Sequence, residues 1–180
     1  MKLIAVLQVR LGSSRLPGKA LFPLDGEPAL IHELRRIVTA SPFDPEDVVV
    51  ATTDRSRDDA VEWVAETFGA SVYRGSEDDV LGRVYRAVDA AGADGVIRVT
   101  GDNPLVDPAV LTRLAELLRN RDVDYVSNKL DGTFPLGLGA SAFTVQALQR
   151  ADTTVSENHY REHMGAYFRD SLDRFQWADI

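Results

Sequence analysis

The sequence predicts an α/β protein of three layers, α/β/α, built around a mostly parallel sheet. Short apolar, β-rich runs alternate with stretches whose apolar residues recur at helical spacing. The connections between them are mostly short, which is the pattern of repeated β-α-β units with helices on both sheet faces. At 180 residues, 44% apolar and 27% charged, the chain is long enough to bury a substantial core.

Residues 3–9 read as a buried first strand. Residues 27–40 follow as a helix, with Leu30, Ile31, Leu34 and Ile37 on one face. Residues 47–52 form the second strand, and residues 57–68 a helix that stops at Gly69. After a third strand at 71–74, Ser76 reads as an N-cap with Asp79 three residues on, opening a helix that runs to Ala91 and ends at Gly92. Residues 95–100 make the fourth strand, and Asp107 and Pro108 suit the cap and first turn of a helix ending at Asn120. The fifth strand is 124–127. Beyond a Gly- and Pro-rich loop at 132–139, the pattern predicts a strand at 140–144, helices at 145–151 and 158–170, and a last strand at 174–178. With no repeat, low-complexity segment or linker, residues 1–180 read as one domain.

Composition excludes several classes. A net charge of −8 opposes nonspecific binding to a nucleic-acid backbone, though a local basic site can still hold a small anion. The absence of cysteine removes disulfides, thiolate metal sites and a cysteine nucleophile. No apolar run is long enough to span a membrane and the first is too short for a signal peptide, so the expectation is a cytoplasmic protein without membrane contact.

Ligands of such sheets bind at the carboxyl ends of the strands. Three clusters map there: the turn from Arg10 to Lys19, the segment Arg74-Gly75-Ser76, and Asp102. The first is the richest. Glycines and serines let backbone amides approach an anion, and Arg10, Arg15 and Lys19 surround them; Lys19 is one of only three lysines in the chain. It is not a P-loop, because five residues separate Gly12 from Gly18 and Ala20 follows Lys19 where a magnesium-binding hydroxyl belongs. Asp102, at a strand end, suits Mg²⁺, which takes one or two carboxylates plus phosphate oxygens; the bland alternative is an Asx-turn aspartate. The stretch from Gly137 to Ala142 matches a dinucleotide fingerprint but opens no β-α-β unit. His159 and His163 are spaced i, i+4 without the zinc-protease residues between them, and no nucleophile elbow is present.

Arg10-Leu-Gly-Ser-Ser-Arg-Leu-Pro-Gly-Lys19, Arg74-Gly-Ser76 followed by Asp79-Val-Leu-Gly-Arg83, Thr100-Gly-Asp-Asn-Pro-Leu105 and Arg161-Glu-His163 together resemble the cytidylyltransferase family. This is the group of CMP-sialic acid and CMP-Kdo synthetases, and the resemblance is strongest to its spore-coat polysaccharide (SpsF-like) branch. It implies a Rossmann-related, GT-A-like nucleotidyltransferase fold and Mg²⁺-dependent transfer of CMP from CTP to an acidic or related sugar. It further implies that Arg10, Gly12, Ser13, Arg15 and Lys19 hold the triphosphate, that Arg74 and Ser76 help recognise cytosine, and that Asp102 binds the catalytic metal. Lys19, Arg15 and Asp102 are then the catalytic set, Arg161, Glu162 and His163 lie toward the sugar, and the chain forms a homodimer.

Two departures stand out. Gly137-Leu-Gly-Ala-Ser141 replaces a Gly-Leu-Asp sequence followed by an acidic residue, which removes carboxylates that contact a second metal or the sugar. The sequence also ends at Ile180, short of the family's usual C-terminal tail. Two other readings stay open: a nucleotidyltransferase using another NTP and a sugar phosphate, and a non-catalytic nucleotide-binding module.

Overall fold

Alternation along the strands explains the layers. In the computed structural model, which describes residues 1–39, 43–120 and 122–180, the first strand β1 spans Leu3–Gln8. Leu3, Ala5 and Leu7 enter one apolar cluster, Ile4 and Val6 the other, as a two-residue side-chain period requires. The chain continues through the two-residue strands β2 (Pro23–Leu24) and β3 (Glu27–Pro28) to α1 (Ala29–Thr39), then β4 (Val48–Thr53) and α2 (Asp59–Phe68). Next come β5 (Ser71–Gly75), α3 (Val80–Ala90), β6 (Gly95–Thr100), α4 (Pro108–Asn120) and β7 (Tyr125–Ser127). The remainder is β8 (Ala140–Thr144), α5 (Val145–Thr154), α6 (Asn158–Glu162), α7 (Met164–Asp170) and β9 (Trp177–Asp179).

Seven strands form the sheet in the order β5-β4-β1-β6-β8-β7-β9. All neighbouring pairs are parallel except those of β8, which runs antiparallel to both β6 and β7. Helices α1, α2 and α4 pack on one face through Leu34, Val61 and Leu114, and α3, α5 and α7 on the other through Val84, Leu148 and Phe168. The three-layer, mostly parallel expectation therefore holds. Among the described residues, no helix is long and apolar enough to cross a membrane.

Several local expectations are corrected. The first predicted helix begins at Ala29 rather than residue 27, because Asp25 (φ 49°) and Gly26 (φ 83°) form a tight turn that pairs Leu24 with Glu27. Asp25-Gly26 is the Asp-Gly hairpin signal in the sequence. Its predicted end at Ala40 lies outside the described residues. Asp79, not Ser76, caps α3: its carboxylate accepts from the Gly82 amide at 2.9 Å, while the Ser76 hydroxyl accepts from the Asp79 amide at 3.3 Å. The single helix expected at 158–170 breaks at His163 (φ −109°, ψ 60°), which lets Met164 and Phe168 turn fully into the core. The last strand starts later than expected, at Trp177, because Leu172–Arg174 form a 3₁₀ turn.

Gln8 and Thr100 are register partners at the carboxyl ends of the central pair β1 and β6. The basic turn and Asp102 therefore leave the sheet side by side.

Candidate active site

A cavity of about 610 Å³ opens at this edge. Its floor lies where the sheet face shared with α3, α5 and α7 changes from apolar to polar, at Gln8, Arg98, Tyr125 and Ser141. Arg10, Ser13, Arg15 and Lys19 of the basic turn, Asp102, and Glu162 and His163 at the end of α6 also line it. Residues from both ends of the chain thus meet in one concavity.

The turn is shaped from within. The Leu11 carbonyl accepts from the Ser13 and Gly18 amides at 2.8 and 2.9 Å, closing the loop on itself. Asp58, fully buried, accepts from the Leu11 amide at 2.8 Å and from the Thr53 hydroxyl. A buried carboxylate with two donors fixes where the loop begins. Gly12 does not line the cavity. A Cβ there would come within 2.7 Å of the Glu77 carboxylate and 2.5 Å of the Arg57 guanidinium, so glycine lets that ion pair pass beneath the turn. Glu77 also faces Arg10 at 3.6 Å and Arg55 at 3.5 Å, and Glu162 holds Arg10 at 3.2 Å. Arg10 is therefore oriented by two carboxylates, whereas Arg15 has no ion-pair partner among the described residues.

Lys19 Nζ stands 3.6 Å from Asp102 Oδ2, and Asp102 Oδ1 accepts from the Thr100 hydroxyl at 2.6 Å. Partial burial pushes the Asp102 carboxyl up, but the Thr100 hydroxyl and the charges of Lys19 and Lys129 outweigh it, so its pKa falls below the ordinary value. Asn103 secures the turn from below, donating to Thr100 Oγ1 at 2.9 Å and to the Gly139 carbonyl at 3.0 Å. Among the described residues there is no group of three or more metal-binding side chains. One ionised carboxylate beside a cationic loop fits Mg²⁺ held jointly with phosphate oxygens and water, rather than by an all-protein cage.

Arg74, Ser76 and Arg161 stand apart from the cavity lining. Arg74 spends its guanidinium on Asp59 and Glu62 and on the Thr53 and Arg55 carbonyls, because β5 lies at the sheet edge, two strands from β1. Ser76 faces the start of α3. Arg161 binds Asp79 at 2.7 and 2.8 Å and Asp152 at 2.6 Å, tying α6 to α3 and α5. The resemblance assigns Arg74 and Ser76 to cytosine and Arg161 to the sugar; none of the three lines this cavity.

Sequence reasoning missed Arg98, Lys129 and Arg169, which also line the cavity. Arg98 carried a readable signal, since a charge inside the strand 95–100 needs a reason. Glu33 was also missed. It is 1% exposed on α1 and faces the Asn103 amide; burial drives its pKa up to about 8, against the pull of that amide, and Asp102 adds to the rise while Lys19 opposes it. The folded state then keeps a proton that the unfolded chain releases above about pH 4.5, so this group's contribution to stability declines as pH rises from about 4.5 to about 8. Glu33→Gln is expected to remove that slope and to gain about 3–4 kcal/mol on the wild type between pH 5 and pH 8, measured by urea unfolding. Equal pH slopes for the two proteins would show that Glu33 is ionised in the fold.

Comparison with known proteins agrees with this geometry. A family model described as cytidylyltransferase matches residues 4–179. The spore coat polysaccharide biosynthesis protein SpsF of Bacillus subtilis is 35% identical over 185 residues, covering 98% of this chain and 75% of SpsF. The 3-deoxy-manno-octulosonate cytidylyltransferase of Paramagnetospirillum magneticum is 34% identical, covering 96% of this chain and 76% of its own length. A solved cytidylyltransferase from Leptospira borgpetersenii superposes with a TM-score of 0.94 at 32% identity, over all of this chain and 76% of that one. With a matching family model across nearly its whole length and relatives above 30% identity, the chain belongs to the cytidylyltransferase family.

Proposed function

We propose that this enzyme transfers CMP from CTP to an acidic sugar, releasing pyrophosphate, in the making of a surface polysaccharide. The observation that carries the reading is the meeting of Lys19 and Asp102, 3.6 Å apart, in a cavity also lined by Arg10, Ser13 and Arg15. Nucleotidyl transfer needs that combination: cations for a triphosphate, and a carboxylate that would hold a metal to neutralise it. The acidic sugar is suggested by the relative named for 3-deoxy-manno-octulosonate, and the polysaccharide by SpsF.

A sugar hydroxyl attacks the α-phosphorus, and pyrophosphate leaves in line. Arg10, Ser13 and Arg15 hold and orient the triphosphate, and Lys19 meets the charge that grows on the leaving group. Asp102 would be the protein's ligand to Mg²⁺, which supplies charge neutralisation on the phosphates when bound. Thr100 and Lys19 keep Asp102 ionised for that purpose. No covalent nucleophile is required. Arg74, which the resemblance assigns to cytosine, commits four of its five donors to Asp59, Glu62 and the Thr53 and Arg55 carbonyls, so other groups carry most of any cytosine reading.

The test is pyrophosphate release with each of the four NTPs against 3-deoxy-2-keto sugar acids and sugar phosphates. Turnover only with CTP and a sugar acid is expected. Turnover with another NTP and a sugar phosphate would overturn the reading, as would tight CTP binding without turnover.

A further inference from the structure

Three further cations, none from the basic turn, line the cavity: Arg98 on β6, Lys129 just past β7, and Arg169 on α7. None belongs to the triphosphate grip described above. Arg98 is held by the Gln8 side-chain carbonyl, to which its Nε donates at 2.9 Å, and Arg169 is 3.4 Å from its own neighbour Asp170. Among the described residues, Arg98 and Lys129 have no carboxylate within ion-pair distance. Loss of hydration and then the charge of Arg98 depress the Lys129 pKa, Asp102 opposing and Arg169 assisting. Like charges gathered on a concave wall, only partly offset by Asp102 and Asp170, are a standing cost that an incoming anion relieves.

Lys129 reaches this wall by a particular route. A Cβ built on Gly139 would fall inside any permitted approach to Cε and Nζ of Lys129, and only 2.8 Å from its Cδ. The lysine stem therefore runs through the space that any side chain at 139 would fill. Neither backbone can retreat easily. Gly139 accepts through its carbonyl from Asn103, and Asn128 binds both sides of it, donating to the Leu138 carbonyl at 3.0 Å and accepting from the Ala140 amide at 2.9 Å. The conflict would be resolved by the flexible lysine end, since Lys129 as a whole is an exposed residue and its side chain can swing out to solvent.

We propose that Arg98, Lys129 and Arg169 form the acceptor subsite for an anionic oxyacid group, a carboxylate or a phosphate, and that Lys129, admitted by Gly139, determines specificity for it. The hydroxyls of Tyr125 and Ser141 on the same wall supply neutral donors beside the charges. The assignment rests on the transferase reading, in which nucleotide and acceptor occupy the two sides of one cavity.

The experiment is calorimetric binding to the full chain, with and without a non-transferable α,β-methylene analogue of CTP. The probes are 2-keto-3-deoxygluconate for the carboxylate, glucose 1-phosphate for the phosphate, and methyl glucoside as the neutral control. One of the two anions is expected to bind and the glucoside is not; the anion that binds assigns carboxylate or phosphate. Lys129→Met and Gly139→Ala should each weaken that binding about tenfold or more, the loss of one charged hydrogen bond, with the affinity for the CTP analogue unchanged. Adding Gly139→Ala to Lys129→Met should have no further effect, because nothing remains to displace. Any of three results overturns the proposal: no binding of either anion by the wild type, anion binding that survives both substitutions, or equal weakening of the CTP analogue. Failure of the transferase reading is separate, since it would appear as absent pyrophosphate release while anion binding and its Lys129 dependence persist.

Discussion

Lys19→Met is expected to lower turnover about 10²–10³-fold while leaving the fold intact, the loss typical of removing one preorganised donor from a developing negative charge. The side chain is partly exposed and its one ion-pair contact among the described residues is Asp102 at 3.6 Å, so its removal opens no cavity in the core. A second signature distinguishes lost charge from disturbed structure. Lys19 helps hold the Asp102 carboxyl below its ordinary pKa, alongside the Thr100 hydroxyl and Lys129. A depressed carboxyl stays ionised as pH falls until its own low pKa is reached. Without Lys19 it should protonate at higher pH, and the acid limb of the pH–rate profile should move upward. Steady-state rates across the acid range check both expectations, and a variant with wild-type turnover would remove Lys19 from the catalytic set.

The parallel core was legible because its signals are local. The run GVIRVT at 95–100 and the Asp107-Pro108 start of α4 were placed to the residue, since a buried strand and a capped helix each declare themselves within a few positions. What escaped depends on partners distant in sequence. Nothing near Asp58 shows that it holds the Leu11 amide, and nothing near Glu33 shows that it lies against Asn103. Arg74 and Arg161 were assigned to the ligand by motif, yet both satisfy carboxylates within the protein. A motif marks which arginines matter but not which way they point, and an arginine at the end of a sheet can serve either a substrate or the sheet. The meeting of Lys129 with Gly139 was less readable still. It depends on the loop between β7 and β8, whose Gly- and Pro-rich composition carries no periodic pattern.

Asp102→Asn should reduce turnover by about 10²-fold or more and should also abolish the gain in CTP affinity that Mg²⁺ confers. The substitution is suited to the question because it spares the local scaffold. An asparagine carbonyl can still accept from the Thr100 hydroxyl, and Asn103 keeps its bonds to Thr100 and Gly139, so stability should change by no more than about 0.5 kcal/mol. What disappears is the negative charge at the end of β6, and with it the proposed hold on a divalent ion. Titrating CTP into wild type and variant, with Mg²⁺ and with a chelator, isolates that effect from chemistry. If Asp102 is the metal ligand, the two proteins differ in Mg²⁺ and converge without it. An unchanged Mg²⁺ response in the variant would return Asp102 to the role of a turn-forming aspartate. The double variant with Lys19→Met sharpens the outcome. If the two groups act on the same phosphates, as their 3.6 Å separation allows, their combined loss should fall well short of the product of the separate losses.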